Sequence, residues 1–213
     1  MTEVSRSASA SSALSSEERL LAAIAYGESS TRDLYEEMAA LASVMVRQMK
    51  ARGYSTIDAF TSKDKNFSFV RADGNARYAK LMKATEKDIE KSPPMSDAVK
   101  AARNAFSGGV DFSNGAYFWD GADIKSNYKH HAKVKSGIHI TDPVHNIYGI
   151  SDSGKTKILY KTVKKKVGGQ VKTVREEVGR YSWVYESTAG VGGTIFWRYG
   201  RDWVTVTRAK EYR

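Results

Sequence analysis

Apolar residues recur at helical spacing in the first half of the chain and at shorter, strand-like intervals in the second. Leu20, Leu21 and Ile24 share one side of a helix predicted from Ser15 to about Gly27. Ser15, with Glu18 three positions on, makes a capping box. Leu34, Met38, Leu41, Met45 and Met49 form the buried stripe of a second helix, predicted over about 31–52 and ended by Gly53. Ser29, Ser30 and Thr31 are its cap candidates, and Asp33 falls in its first turn. Residues 54–90 are mixed: a loop carrying FSFVRADGN (67–75), then a polar helix-like stretch through Tyr78, Leu81 and Met82. Pro suits a first helical position, so Ser92-Pro93-Pro94 opens a further helix. Gly108-Gly109 closes it.

The character changes after about 110. GAYFWDGAD (115–123) reads as an aromatic strand or loop, and β-branched and aromatic residues dominate from 134 onward. Residues 158–167 and 170–178 form two strands joined at Gly168-Gly169, a hairpin signal. Strands at 181–187, 193–199 and 202–207 follow. The fold class is therefore α+β, with a helical lobe over 15–127 and an antiparallel sheet and hairpin region over 128–213. No Pro/Gly/Ser-rich linker divides the two, so the second is expected to complete the domain begun by the first. Residues 1–14, rich in Ser and Ala without periodicity, read as a flexible tail.

Composition narrows the chemistry. The 213 residues include no cysteine, which excludes disulfides, thiolate metal sites and a cysteine nucleophile. Four histidines occur, none in an HExxH pair, which argues against zinc hydrolysis. No apolar run reaches the length of a membrane span. No basic-then-apolar leader is present, so synthesis in the cytoplasm and export by another route are expected. The net charge of +10 points to an anionic partner: nucleic acid, a membrane surface or an envelope polymer.

Two glutamates stand out. On the second helix Glu37 falls between Leu41 and Val44, aimed at the interior, whereas Glu36 falls on the wet side with Ser43 and Arg47. On the first, Glu28 lies four residues after Ile24 and seven after Leu21. It also sits at the helix C-terminus, where the dipole disfavours an anion. Burial and dipole both raise its pKa, as a general acid requires. GESST bends the chain between the two, so both carboxylates can face one cleft. Such a pair suits glycosidic cleavage, one protonating the leaving oxygen and the other activating water or stabilising positive charge. A glutamate at the edge of an apolar stripe equally serves as a salt-bridge or capping residue.

IAYGESS (24–30) followed by YEEMAALASVMVRQ (35–48) resembles the SleB-like cell-wall hydrolases. In that family a Tyr-Gly-Glu-Ala/Ser segment precedes a helix of this type. AVKAARNAFSGGVDFSNGAYFWD (98–120) is similar to its later helix and Gly-rich turn. The likeness covers roughly 20–125. It implies a lysozyme-like α+β fold, cleavage of the peptidoglycan backbone between its two amino sugars, and Glu28 as the acid. Spore-cortex members are described as lytic transglycosylases that manage with one glutamate. Here Glu37 stands where many members have Gly, which favours a muramidase using water. EEMAALASV, FSFVRADGN and ESTAGVGGTIFW (186–197) look more like lysozyme domains of type VI secretion effectors. That kind implies action on a target bacterium's periplasmic wall, an immunity protein, and a secretion spike or carrier domain. A phage endolysin fits as well. No cofactor and no metal enter this reading, and a monomer is expected.

Other residues could line a saccharide groove. Asp73, Asn75 and Tyr78 lie in or after a turn that could face it, although Asp73-Gly74-Asn75 is also a plain tight turn. Tyr117, Trp119 and Asp120 suit a glycan, through aromatic faces and a carboxylate, with Phe118 turned into the core. Ser187, Thr188 and Thr194 offer hydroxyls from the sheet. GISDSGKTK (149–157) matches a phosphate-loop pattern formally, but the segment after it reads as a basic strand instead of a helix. The lysines from Lys161 to Lys172 make a protruding cationic hairpin. They either discourage edge aggregation or attract an anionic wall or membrane. A non-catalytic module binding envelope or nucleic acid is the rival reading, although no nucleic-acid module is evident.

Overall fold

A computed structural model describes residues 13–212, and these form an α+β fold, helices first and sheet second. The predicted tail lies outside the described residues except at its end. There the Leu14 N–H donates to Glu86 Oε1 at 3.3 Å and the side chain packs on the helical core. The helical lobe comprises α1 (Ser16–Glu28), α2 (Tyr35–Ala51), α3 (Ile57–Lys63), α4 (Phe69–Ala72), α5 (Ala76–Lys83), α6 (Glu86–Glu90) and α7 (Pro93–Ser107). The capping box at Ser15 and Glu18 starts α1. Gly108, at φ 70°, ends α7 in the left-handed conformation that Gly adopts without penalty. α7 packs on both α1 and α2. The apolar stripe of α2, Met38, Leu41 and Met45, is fully buried there. α2 begins at Tyr35, later than the cap candidates Ser29, Ser30 and Thr31 predict. Leu34 is its N-cap without a side-chain bond, and Asp33, at φ 55°, stands outside the helix.

The second half contains β1 (Phe118–Asp120), α8 (Asp123–Ser126), α9 (Ala132–Ser136), β2 (Ile138–His139), β3 (Lys157–Val167), β4 (Gln170–Tyr181), β5 (Tyr185–Val191), β6 (Thr194–Tyr199) and α10 (Arg201–Thr207). The main sheet runs β1-β6-β5-β2. It is mixed and not purely antiparallel, because β2 pairs with β5 in parallel. Side-chain alternation gives it two covered faces. Trp119, opposite Phe196, joins Ala189 on the face against the helical core. Phe118, opposite Trp197, joins Ile195 and Tyr185 on the other, over Ile124, Val134 and Ile138. The helical core thus continues into the sheet through Phe196 and Ala189.

β3 and β4 form a separate two-stranded ladder. The strand expected over 202–207 is instead the helix α10. Gly200 precedes it, Asp202 sits in its first turn, and Trp203 packs at a tilt against Tyr199 with ring centroids 4.4 Å apart. Its β-branched residues suggested a strand, but tertiary packing overrides so weak a propensity. The segment 149–157 leads into β3 and not into a helix, unlike a phosphate loop. Among the described residues no helix is long and apolar enough to cross a membrane.

Candidate active site

Glu28 is the last residue of α1, and no basic residue occupies that last turn. Its carboxyl is half-buried. The Trp119 indole N–H donates to its Oε2 at 3.3 Å. Burial raises the Glu28 pKa to about 7, the Trp119 bond pulls it down, and the negative charge of Asp73 pushes it up. A carboxylic acid poised near neutrality can both give and take a proton.

Neighbouring side chains fix the end of α1. Asn75 caps α5 by accepting from the Arg77 and Tyr78 N–H groups at 2.9 and 3.1 Å. Its amide donates to the Gly27 carbonyl at 2.8 Å. A Cβ at position 27 would lie 3.0 Å from the Tyr78 Cβ, so only glycine lets α5 approach this closely. Arg77, which sequence reasoning missed, donates to the Ser29 and Ser30 carbonyls at 3.1 and 2.8 Å and covers the Tyr26 ring at 4.1 Å. It binds the carbonyls of the turn that follows α1, at the C-cap Ser29 and at Ser30 beyond it. Nothing in its local pattern marks this, because its partners lie more than 40 positions away.

Asp73, Asn75, Tyr78 and Trp119 therefore gather around Glu28, with Asp73 exposed and Asn75 and Tyr78 acting on the backbone of α1. Glu37 does not face a cleft with Glu28. It points inward, as its helical position predicts, but what it meets is backbone. It is 0% exposed. Its carboxylate accepts from the Ser30 N–H at 3.1 Å, the Ser30 hydroxyl at 2.6 Å, the Gly193 N–H at 3.0 Å and the Thr194 hydroxyl at 2.7 Å. Gly192, at φ 60°, makes room: a Cβ there would fall 2.1 Å from Glu37 Oε2. Glu37 is a clasp between the α1–α2 turn and the β5–β6 turn. Gly192→Ala is accordingly expected to lower the melting temperature by several degrees in a thermal scan, through strain and collision together.

Five more expected groove residues lie elsewhere. Tyr117 stands beside α2, where Arg47 covers its ring at 5.8 Å. Asp120 lies on the opposite face of the sheet from Trp119, bonded by Lys133 at 2.7 Å. Ser187 is 2% exposed, with its hydroxyl in a set with Thr141 and His145. Thr188 is 5% exposed and donates to the Ser113 carbonyl at 2.7 Å. Thr194, on the Glu37 clasp, is buried too. Each hydroxyl is used internally because the sheet is covered on both sides.

Two further features bear on chemistry. Trp119 also lines a cavity of about 340 Å³ with Phe67, Phe69, Phe118, Tyr185 and Tyr199. Its two cations are already paired, Arg52 with Asp64 and Lys133 with Asp120, both at 2.7 Å. Across the sheet, ligand atoms of Asp120, Asp123 and His131 lie within 4.8 Å of one another, the one such group among the described residues. His131 Nε2 is 3.3 Å from both carboxylates, and its pKa is raised mainly by the Asp120 bond. Lys133, 2.7 Å from Asp120, already supplies a protein cation to that group. No family model, no curated protein and no solved structure matches the chain.

Proposed function

We propose that this chain cleaves the glycan strand of peptidoglycan, with Glu28 as the general acid. The observation that carries the reading is the Glu28 carboxyl, held near pKa 7 at a helix end between Trp119 and Asp73. The resemblance of IAYGESS to the cell-wall hydrolases assigns the acid to the same residue. The aromatic cavity that shares Trp119 suits a neutral sugar ring, since its cations are engaged and its walls offer ring faces and tyrosine hydroxyls.

With Glu37 sealed in the clasp, one carboxyl does the work. Glu28 gives its proton to the glycosidic oxygen as the bond to C1 breaks. The resulting carboxylate takes the proton of the sugar's own C6 hydroxyl, whose oxygen closes on C1. No water is consumed and an anhydro end results. The field of Asp73 at Glu28 favours a second route, in which Asp73 orients water and the product has a reducing end. Purified peptidoglycan, digested and read by mass spectrometry, separates them: anhydro ends support Glu28 alone, and reducing ends support the water route. Absence of any released saccharide overturns the enzyme reading and leaves a binding module.

Because the acid must be protonated, cleavage is expected to decline as pH rises through about 7. Asp73→Asn removes the charge that raises the Glu28 pKa, so the alkaline limb is expected to move to lower pH. Trp119→Phe removes the bond that lowers it, so the limb is expected to move up. Activity profiles of the three proteins on soluble wall fragments check both directions. A limb that stays put in both variants would detach it from Glu28.

A further inference from the structure

The β3–β4 hairpin has no place in the chemistry above, yet it concentrates the charge of the molecule. Residues 157–181 hold eight Lys and Arg against two Glu, a net +6 of the chain's +10. Its base is anchored, since Gly179 lies so close to α10 that a Cβ there would meet Val206 at 2.7 Å. Beyond that base the strands leave the body. All of β3 is exposed except half-covered Val163, whose cross-strand partner is Val174. An isolated two-stranded ladder is marginal in water, so an arm of this kind suits a surface that covers it.

The distribution of charge indicates which surface. Both glutamates are engaged within the hairpin, Glu176 by Lys161 and Lys165, and Glu177 by Arg180. Toward the tip, no carboxylate among the described residues pairs with Lys164, Lys166 or Lys172. Lys165 and Lys172 face each other, and Lys164 and Lys166 take the opposite side of the ladder. The cations thus ring the arm and do not line one face. Near the tip Val167 and Val171 are 47% and 69% exposed, Val167 just before the Gly168-Gly169 turn and Val171 one position beyond Gln170, which closes it. A linear polyanion lying along one face would meet half of this ring and leave the valines in water. A planar anionic surface met end-on engages the whole collar and takes up the apolar tip.

We propose that the β3–β4 hairpin docks the protein, tip first, on an anionic lipid bilayer. The lysine collar sits at the headgroups, and Val167 and Val171 enter the interface. This rests on the arm alone and not on the reading of Glu28. The test is co-sedimentation of the full chain with vesicles of phosphatidylcholine, with and without phosphatidylglycerol, at low and high salt. Binding is expected only with phosphatidylglycerol, and it is expected to weaken steeply with salt.

A triple variant, Lys164→Gln with Lys166→Gln and Lys172→Gln, is expected to bind about 100-fold more weakly at unchanged melting temperature. Val167→Asn with Val171→Asn is expected to weaken vesicle binding while sparing any binding to duplex DNA. Wild-type protein that ignores phosphatidylglycerol overturns the proposal, as does a triple variant that binds like wild type. So does DNA binding that is tighter than vesicle binding and indifferent to the valines, which would assign the arm to nucleic acid.

Discussion

Glu28→Gln is expected to lower glycan-strand cleavage by about 1,000-fold or more with the fold intact. Glutamine keeps the volume of the side chain and an oxygen for the Trp119 N–H, but it has no proton to give. Stability supplies an independent check. The Glu28 pKa is about 7 in the folded chain against an ordinary 4.5. Ionising it therefore costs the folded state more than the unfolded one. The cost is absent below pH 4.5, grows as pH rises toward about 7, and is complete above that. Glutamine carries no such cost. The variant is expected to match wild type near pH 4 and to exceed it at pH 8 by about 2 kcal/mol, after allowance for the half-exposed carboxyl. Thermal unfolding at both pH values, beside a turbidity assay on purified walls, tests the two halves together. A variant that still clears walls removes Glu28 from the chemistry. One less stable than wild type at pH 8 removes the buried acid.

Glu37→Ala has the opposite signature. It leaves four donors without an acceptor inside the protein: the Ser30 and Gly193 N–H groups and the hydroxyls of Ser30 and Thr194. A loss of about 4 kcal/mol is expected, and with it a fall of about 10 °C in melting temperature. Glu37→Gln keeps one acceptor oxygen but turns an amide donor toward other donors. It is expected to fall between wild type and Ala in stability, while the folded fraction still cuts the glycan. The pair of glutamates can thus be told apart by readout, with activity lost at position 28 and stability lost at position 37. A Glu37→Gln protein as stable as wild type but inactive would return Glu37 to the reacting centre.

The contrast between these residues also marks how far local pattern reaches. The angular position of each glutamate was legible, and so was the depressed polarity around Glu28, because helix geometry and the end of α1 are local. What Glu37 faces was not legible, since its partners Gly193 and Thr194 lie 156 and 157 positions away. The same distance effect hid Arg77, whereas the side taken by Asp120 is local, since it lies two positions after Phe118 on one strand. Alternation did predict opposite faces for Trp119 and Phe118. It could not say that both faces are covered, which is what withdraws Ser187 and Thr188 from any groove. Local signals suffice at α1, where the capping box of Ser15 and Glu18 meets an apolar stripe, and at α7, where Pro93-Pro94 opens the helix and Gly108 closes it. At α10 the β-branched composition competed with a packing contact to Tyr199 that only the folded chain displays.

The register of β1 on β6 has a consequence for biogenesis. Trp119 is held opposite Phe196, on a three-residue strand whose partner is the last strand of the sheet. The clasp at Glu37 likewise closes on residues 193 and 194. Contacts of such separation form late, after the local helices. A growing chain still on the ribosome therefore carries Glu28 without the Trp119 indole that bonds it, and that contact is assembled only once synthesis has passed the final strand.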